Sequence, residues 1–438
     1  MALADFFSDR QVELLPPVQN ESRLEMLALL TLMLVPIVYL SVRHGIHVCL
    51  FVLLTLAIWH RMKAPAHYRD ALTQPWIKPM RFAFVALTLA TAISQALNLR
   101  LHWSSFDGPS KILLAALVFL FLRTRAISFA RVLEVGLPLG LLAVYVAVQL
   151  NSVPNAFWRG RLTTSFVDPN SLGSQSLILT LLCLFSIRLF GKEPTWLLLL
   201  KIVGVATGVY VTIHTQSRGG WLAIPPLLAL WLVLQIGRVK DKRPTAYLRP
   251  IVLTCVAITM MVLAYQYSAI ISSRGEHAYK DISDWLNEIN LDTPAGIRLS
   301  IWKIALSLAL ENPWFGYGET GLKEVLANHP LNTAAYRSAI ETLAFAGPHS
   351  DILAKLLFTG LIGLFAYAAT MVIPWLYFWK HRSDAYPGSM AASHLGMYFI
   401  TGVMVSGLTN EMLSLKYLCS FFGLMIAGLA SDVAKRVK

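Results

Sequence analysis

Long apolar runs separated by short polar segments are the main pattern of this chain. A run of about 20 apolar residues is long enough to cross a bilayer as an α-helix. The chain contains twelve apolar runs, of which the second and the fourth are the shortest. They occupy residues 24–41, 45–60, 80–97, 110–122, 132–150, 172–190, 195–213, 220–236, 250–270, 352–379, 391–408 and 413–431. The pattern predicts an all-α polytopic membrane protein with about twelve transmembrane helices.

One polar segment is much longer than the others and follows the ninth apolar run. It covers about 80 residues and contains stretches in which apolar residues recur at helical spacing. We therefore expect three regions: nine spans in residues 1–271, a loop domain with helices in residues 272–351, and three spans in residues 352–438.

The composition supports a membrane protein. The chain is 56% hydrophobic and only 14% charged, with a mean hydropathy of +0.58. A water-soluble domain of this length needs more charge and less apolar surface. This excludes the ordinary soluble enzyme classes.

Basic residues are concentrated in alternate loops, which predicts the orientation because basic short loops stay in the cytoplasm. This arrangement places both termini in the cytoplasm and the long loop outside, and it explains much of the net charge of +13 without nucleic acid. The basic positions are Arg61, Lys63, Arg69, Lys78, Arg81, Arg123, Arg125, Arg131, Arg188, Lys192, Lys201, Arg238, Lys240, Lys242, Arg243, Arg249, Lys380, Arg382, Lys435, Arg436 and Lys438.

A few arginines lie in the outer loops, against this trend. Arg159 and Arg161 precede the sixth apolar run, and Arg218 lies in a short turn that contains paired glycines. Ser217 is placed to cap the helix that follows, so Arg218 would stand at an anion-friendly helix start. Binding of a phosphate or an acidic sugar explains these arginines, and contact with lipid headgroups is the simpler alternative.

Arg298 has a comparable setting in the long loop. Thr293 is a plausible N-cap and Pro294 a plausible first helical residue, so Arg298 should lie in the early turns of an outer helix. The alternatives are phosphate binding and a plain amphipathic helix on the bilayer surface. The following segment 313–318 predicts a compact aromatic turn, whose rings could pack on lipid or sugar.

An ionisable cluster, 347–351, opens the tenth apolar run. Pro348 suits a first helical turn, so His349 should lie at the helix entrance, where the helix dipole favours a neutral, proton-accepting imidazole. An interfacial surface histidine is the alternative, and His214 is a rival base beside Arg218. Lys355 follows within the apolar run, close enough to the outer end to extend toward the site.

Several chemical motifs are missing from the sequence. It contains no phosphate-binding G-x-x-x-x-G-K-[ST] loop, no H-E-x-x-H, no Cys/His cluster at zinc spacing and no Asp-x-Asp pair. We therefore expect neither a metal nor a nucleotide cofactor. Outward arginines and a histidine fit a lipid-diphosphate substrate whose charge is met by guanidinium groups.

Together these segments resemble the bacterial O-antigen ligase and polymerase superfamily. Order and spacing agree over about 200 residues, and the Phe166-Val167-Asp168-Pro169-Asn170 step before a span is also similar to the family. The segments are Ser217-Arg218-Gly219-Gly220-Trp221; Arg298, Trp302 and Asn312-Pro313-Trp314-Phe315-Gly316-Tyr317-Gly318; and His349-Ser350 with Gly360-Leu361-Ile362-Gly363.

The resemblance implies a metal-independent inner-membrane glycosyltransferase with a GT-C-like fold. It would move an O-antigen glycan from undecaprenyl diphosphate to the lipid A core oligosaccharide on the periplasmic side. By the family's pattern, Arg218 and Arg298 would bind the diphosphate and His349 would act as a base or orient the acceptor hydroxyl. We expect Arg159, Arg161, Ser350 and Lys355 to assist in substrate binding.

Other functions stay open at this point. O-antigen polymerases and protein O-glycan ligases share the same motifs, and the match around His349 favours the ligase. A transporter or flippase is the alternative from another class, for which Lys355 within an apolar run is the best evidence. Against transport, the candidate residues gather on one face of the membrane rather than at its middle.

Overall fold

Helices occupy all twelve apolar runs in the computed structural model, which describes residues 21–65, 77–151, 158, 160–238 and 244–435. This confirms the all-α polytopic fold. The helices of these runs are α1 Glu21–Val38, α2 Gly45–Lys63, α3 Ile77–Leu97, α4 Asp107–Leu122, α5 Phe129–Leu150, α6 Pro169–Phe185, α7 Thr195–His214, α8 Ile224–Arg238 and α9 Pro244–Tyr267, followed after the long loop by α14 Asp351–His381, α15 Pro387–Ser406 and α16 Lys416–Ala434.

Eight segments in the described residues are long and apolar enough to cross a membrane unaided. These are α2, α3, α4 with its preceding turn, α5, α7, α8 with the short helix Arg218–Trp221 before it, α14 and α16. Helix α6 is apolar but only 17 residues long. The number of twelve spans therefore stays a prediction, with eight of them supported by length and composition.

The long loop is helical, as expected, and has its own small core. It forms α10 Ala269–Leu286, α11 Pro294–Glu311, α12 Gly318–Ala327 and α13 Arg337–Ala346. Thr293 caps α11 by accepting the Gly296 N–H at 3.0 Å, and Pro294 is its first residue, which confirms the predicted start. Ile304, Leu322 and Leu343 from different loop helices are buried against Leu357 of α14. The loop is thus packed directly onto a membrane helix.

Helix α14 is broken at Gly360, which has a φ of 67°. The segment 313–318 inserts its backbone into the break: Tyr317 N–H donates to Leu357 O and Leu361 N–H donates to Pro313 O, both at 2.7 Å. Gly316 also has positive φ, and a Cβ on either glycine would overlap backbone of the opposite segment. The aromatic turn that we expected at 313–318 therefore clamps α14.

Helix α16 lies at the centre of the bundle. In its apolar stretch 94% of the residues are buried, because α2, α4, α5, α14 and α15 surround it. Its outer end is preceded by the connection 407–415. This connection reaches the site described below.

One basic position was assigned wrongly to a loop. Lys201 lies inside α7 and is fully buried, with its Nζ 2.9 Å from Glu134 Oε1 and in contact with Glu193. A buried lysine persists because both carboxylates and the Ser186 carbonyl satisfy its ammonium group.

Candidate functional site

The segment before α14 carries His349 in a left-handed backbone conformation. The φ angles of Gly347 and His349 are 77° and 51°. Helix α14 begins at Asp351 with Ser350 as N-cap, so Pro348 is not in the first turn as we expected. Trp302 of α11 donates its indole N–H to Pro348 O at 3.1 Å. This contact holds the segment against the loop domain and delays the helix start.

The connection 407–415 fixes this segment from the other side. Glu411 Oε1 accepts the His349 backbone N–H at 3.1 Å. Asp351 donates its N–H to Gly407 O at 2.8 Å and accepts the Leu413 N–H on Oδ1 at 2.9 Å. Positive φ in a non-glycine residue costs free energy and persists where the surroundings impose it. Here the contacts of Glu411 and Asp351 with the connection 407–415 impose the conformation.

Arg218 lies in the tight turn between α7 and α8. Ser217 does not cap a helix, which corrects our prediction: its Oγ donates to Asn170 O at 3.0 Å, next to the start of α6. Gly173 on α6 leaves no room for a Cβ beside Ser217. The turn that carries Arg218 therefore packs tightly against α6. The Arg218 Nη2 lies 3.5 Å from Asp281 Oδ2 of α10.

Arg161 braces the neighbouring loops. Its Nε donates to Thr215 O and its Nη2 to Asn170 Oδ1, each at 2.7 Å. The guanidinium therefore ties the loop before α6 to the turn that carries Arg218. Arg159 lies outside the described residues, so its expected role stays a prediction.

Arg298 lies close to Arg218 and to Asp168. Burial lowers the pKa of the Arg298 guanidinium, the positive charge of Arg218 lowers it further, and the carboxylate of Asp168 opposes the change. Arg218 and Arg298 thus bring two guanidinium groups into one site. Such a site favours an anion with several charged oxygens.

His349 belongs to the same cluster. Burial and the positive charge of Arg298 lower the pKa of its imidazole to about 4, while Asp168 acts in the opposite direction. The ring is therefore neutral at pH 7, as expected. The cause differs from our prediction, which relied on the helix dipole: burial and the neighbouring guanidinium are responsible.

The remaining candidate site residues are Ser350, Lys355 and His214, and each has different surroundings. Ser350 is 4% exposed and makes no side-chain cap. Lys355 Nζ is 3.5 Å from Leu413 O, so it extends to the connection 407–415. His214 bonds through Nδ1 to Tyr210 O at 2.8 Å within its own helix, and its ring packs 4.1 Å from the Tyr210 ring. That contact sets the ring orientation of His214 within α7.

Three acidic residues of the site were not predicted as site residues. Asp168 caps α6 by accepting the N–H groups of Asn170 and Ser171, Asp281 contacts Arg218, and Glu411 holds the His349 backbone. The Asp168-Pro169 pair is a recognisable helix start and could have drawn attention. No local sequence pattern marks Asp281 or Glu411 as a site residue.

A cavity of about 480 Å³ adjoins the His349 segment. Gly347, Lys355 and Glu411 line its inner end, and α3, α4, α12 and α13 supply the other walls. Burial raises the pKa of the Glu411 carboxyl to about 7; the charge of Asp351 adds to the rise, whereas hydrogen bonds from Ser414 and His349 and the charge of Lys355 oppose it. Glu411 thus lines the cavity and also contacts the His349 backbone.

A comparison with known families matches part of the chain. Residues 203–368 match the family described as O-antigen ligase. This part of the chain is similar to that family. The matched O-antigen ligase region runs from α7 through the first half of α14, so it includes Arg218, Arg298 and His349.

One relative is an uncharacterized protein of Haemophilus influenzae (strain ATCC 51907 / DSM 11121 / KW20 / Rd). It is 25% identical to this chain over 211 residues, which is 48% of the chain and 49% of that protein. The chain therefore spans about half the length of this relative.

Proposed function

We propose that the protein is a glycosyltransferase that moves an O-antigen glycan from undecaprenyl diphosphate to the lipid A core oligosaccharide at the periplasmic face of the inner membrane. The observation that supports this most is the convergence of Arg218, Arg298 and His349 within the matched O-antigen ligase region. We further propose that the helix bundle is GT-C-like.

The donor diphosphate binds at the two arginines. Guanidinium groups make paired, charge-assisted hydrogen bonds to phosphate oxygens. The diphosphate would replace Asp281 as the partner of Arg218 and relieve the repulsion that lowers the Arg298 pKa. When the bond between the sugar C1 and the diphosphate oxygen breaks, the electron pair stays on the diphosphate, whose charge these arginines stabilise.

The acceptor hydroxyl provides the new bond to C1. Its proton passes to a nitrogen of neutral His349 as the C1–O bond forms, which makes His349 the general base. Glu411 contacts the backbone of this histidine and also lines the 480 Å³ cavity. We place the acceptor sugar in this cavity, next to the segment that carries the base.

Transfer by purified protein tests the proposal. Polyprenyl-diphosphate glycan and lipid A core are supplied together, and the products are analysed for glycan attached to the core. Core-linked glycan supports the ligase. Lengthened carrier-linked glycan with unmodified core would identify a polymerase, and transfer to an added acceptor protein would identify a protein O-glycan ligase.

A flux assay separates transfer from transport. The same protein in sealed vesicles should cleave the sugar–diphosphate bond without moving intact donor between leaflets. Movement of intact donor with no glycan transfer would contradict the proposed function and support a flippase.

A further inference from the structure

A second and larger cavity, of about 950 Å³, lies at the opposite end of the bundle from His349. It opens between α8 and α9, and the connection from α6 to α7 forms its floor. Its volume is near the upper end of the roughly 300–1,000 Å³ range of small-molecule pockets. None of the residues proposed for glycan transfer lines it.

The floor of this cavity is basic. Arg188, Lys192 and Arg238 line it, and the first two are exposed. Arg238 Nη2 donates to Leu189 O at 3.2 Å, which holds this guanidinium at the cavity wall. These residues belong to the basic set that predicts the cytoplasmic side.

Glu193, the acidic residue on the floor, does not neutralise the charges of these basic residues. The side chain of Glu193 is 4% exposed and contacts buried Lys201, and its Oε2 accepts the Arg188 backbone N–H at 3.1 Å. Its charge is thus directed into the protein interior. The cavity keeps an excess of positive charge from three side chains.

The wall above the floor is apolar. Phe185 and Trp231 stack with ring centroids 6.0 Å apart, and Leu228 and Leu253 continue the wall along α8 and α9. A ligand that fits therefore has a negative end at the floor and a hydrocarbon part between α8 and α9. Basic pockets between helices on the cytoplasmic side are known to suit anionic lipid headgroups.

We infer that this cavity binds a diacyl phospholipid with an anionic headgroup, taken from the leaflet on the side of the basic loops. The headgroup phosphate lies against Arg188, Lys192 and Arg238, and an acyl chain lies along the Phe185–Trp231 wall. The lipid fills the gap between α8 and α9 and so connects α9 to the bundle. This inference does not depend on the proposed transfer reaction.

Native mass spectrometry of the purified full chain tests the lipid preference. Phosphatidylglycerol is expected to bind at least about tenfold more tightly than phosphatidylcholine. The double variant Arg188→Gln/Lys192→Gln should lose most of this preference, and its exposed positions should leave folding intact. The matched control, Lys380→Gln/Arg382→Gln, removes two basic residues on the same side but outside the cavity, and it should retain the preference.

Fluorescence locates the lipid. Phosphatidylglycerol with brominated acyl chains should quench the wild type more than Trp231→Phe, because Trp231 is the quenched ring. Equal binding of the two lipids, equal loss in both double variants, or equal quenching in Trp231→Phe would overturn the inference. Displacement of phosphatidylglycerol by polyprenyl diphosphate would assign the cavity to the donor lipid and would also overturn it.

Discussion

The state of His349 is imposed by residues that are distant in sequence. Arg298 and burial keep its ring neutral, and Glu411 accepts its backbone N–H. A base whose pKa is about 4 stays unprotonated well below neutrality, but it accepts a proton only when a nearby charge stabilises the imidazolium. Asp168 is the carboxylate whose charge favours the imidazolium, and ionised Glu411 holds the His349 backbone by accepting its N–H.

As the pH falls, we expect kcat/KM to decrease first because Glu411 becomes protonated. The Glu411 carboxyl, with a pKa of about 7, takes up a proton as the pH falls through 7, whereas His349, with a pKa of about 4, does so only near pH 4. Activity of the wild type should fall below about pH 7, and Glu411→Gln should lower the plateau and leave only the limb near pH 4. Transfer rates from pH 4 to 9 measure this.

Glu319→Gln serves as the control for this profile, because Glu319 lines the same cavity without contacting the His349 backbone. It should keep the wild-type profile. If the activity of Glu411→Gln still falls near pH 7, the titrating group is not Glu411.

Replacement of His349 by Ala should reduce transfer by roughly 100-fold or more, the usual scale for a positioned general base. Donor affinity should barely change, because we propose that Arg218 and Arg298 hold the diphosphate. Initial rates and donor binding are measured separately, with His214→Ala as comparison. Normal transfer by His349→Ala together with loss in His214→Ala would show that the base is misassigned.

Arg218→Lys and Arg298→Lys should each lose most transfer activity although the charge is kept. A lysine offers a point charge, whereas the diphosphate requires the paired donors of a guanidinium group. Donor binding by titration should weaken in parallel. Unchanged rates in both variants at normal protein levels would remove these residues from the donor site.

The position of α14 depends on a backbone contact with the segment 313–318. Its break at Gly360 receives the segment 313–318, and Ser94 of α3 donates its Oγ to Phe315 O at 2.7 Å. The clamp fixes the outer half of α14, and with it the position of the His349 segment. Substitutions here therefore act on catalysis through helix position.

Gly360→Ala should destabilise the protein and abolish transfer. Gly318 provides the matched control, since both glycines have a φ of 67° but nothing lies within 4 Å of a Cβ at Gly318. Gly318→Ala should cost only the strain of the left-handed backbone, about 1–2 kcal/mol. Thermal unfolding and transfer rates are compared for the two variants. Equal effects would show that strain alone, rather than the backbone clamp, determines the result.

The sequence predicts elements well and contacts between them poorly. Apolar runs located all twelve helices, and Thr293-Pro294 located the start of α11, because both are local properties. The late start of α14 was missed because Trp302 and Glu411 determine it from other parts of the chain. Likewise, Asp281 approaches Arg218 only through the packing of α10, which no local pattern shows.

At the scale of the whole molecule, the orientation in the membrane remains a prediction. Single cysteines replacing Tyr279 or Asn328, both exposed in the loop domain, should react with an impermeant reagent added outside intact cells. A cysteine at Lys380 should react only after the membrane is opened. The unsubstituted chain gives the background from native cysteines, and labelling of the loop domain only from the cytoplasm would reverse the orientation.

The anchoring of His349 by the connection 407–415 has a consequence for biosynthesis. A membrane protein is made and inserted from its N-terminus, and early segments wait for partners that are made later. In the predicted orientation, Arg218, Arg298 and His349 reach the outer side while Glu411 and Leu413 are still unmade. A chain that ends with α15 should therefore be inserted but inactive in glycan transfer, because the connection 407–415 is missing from it.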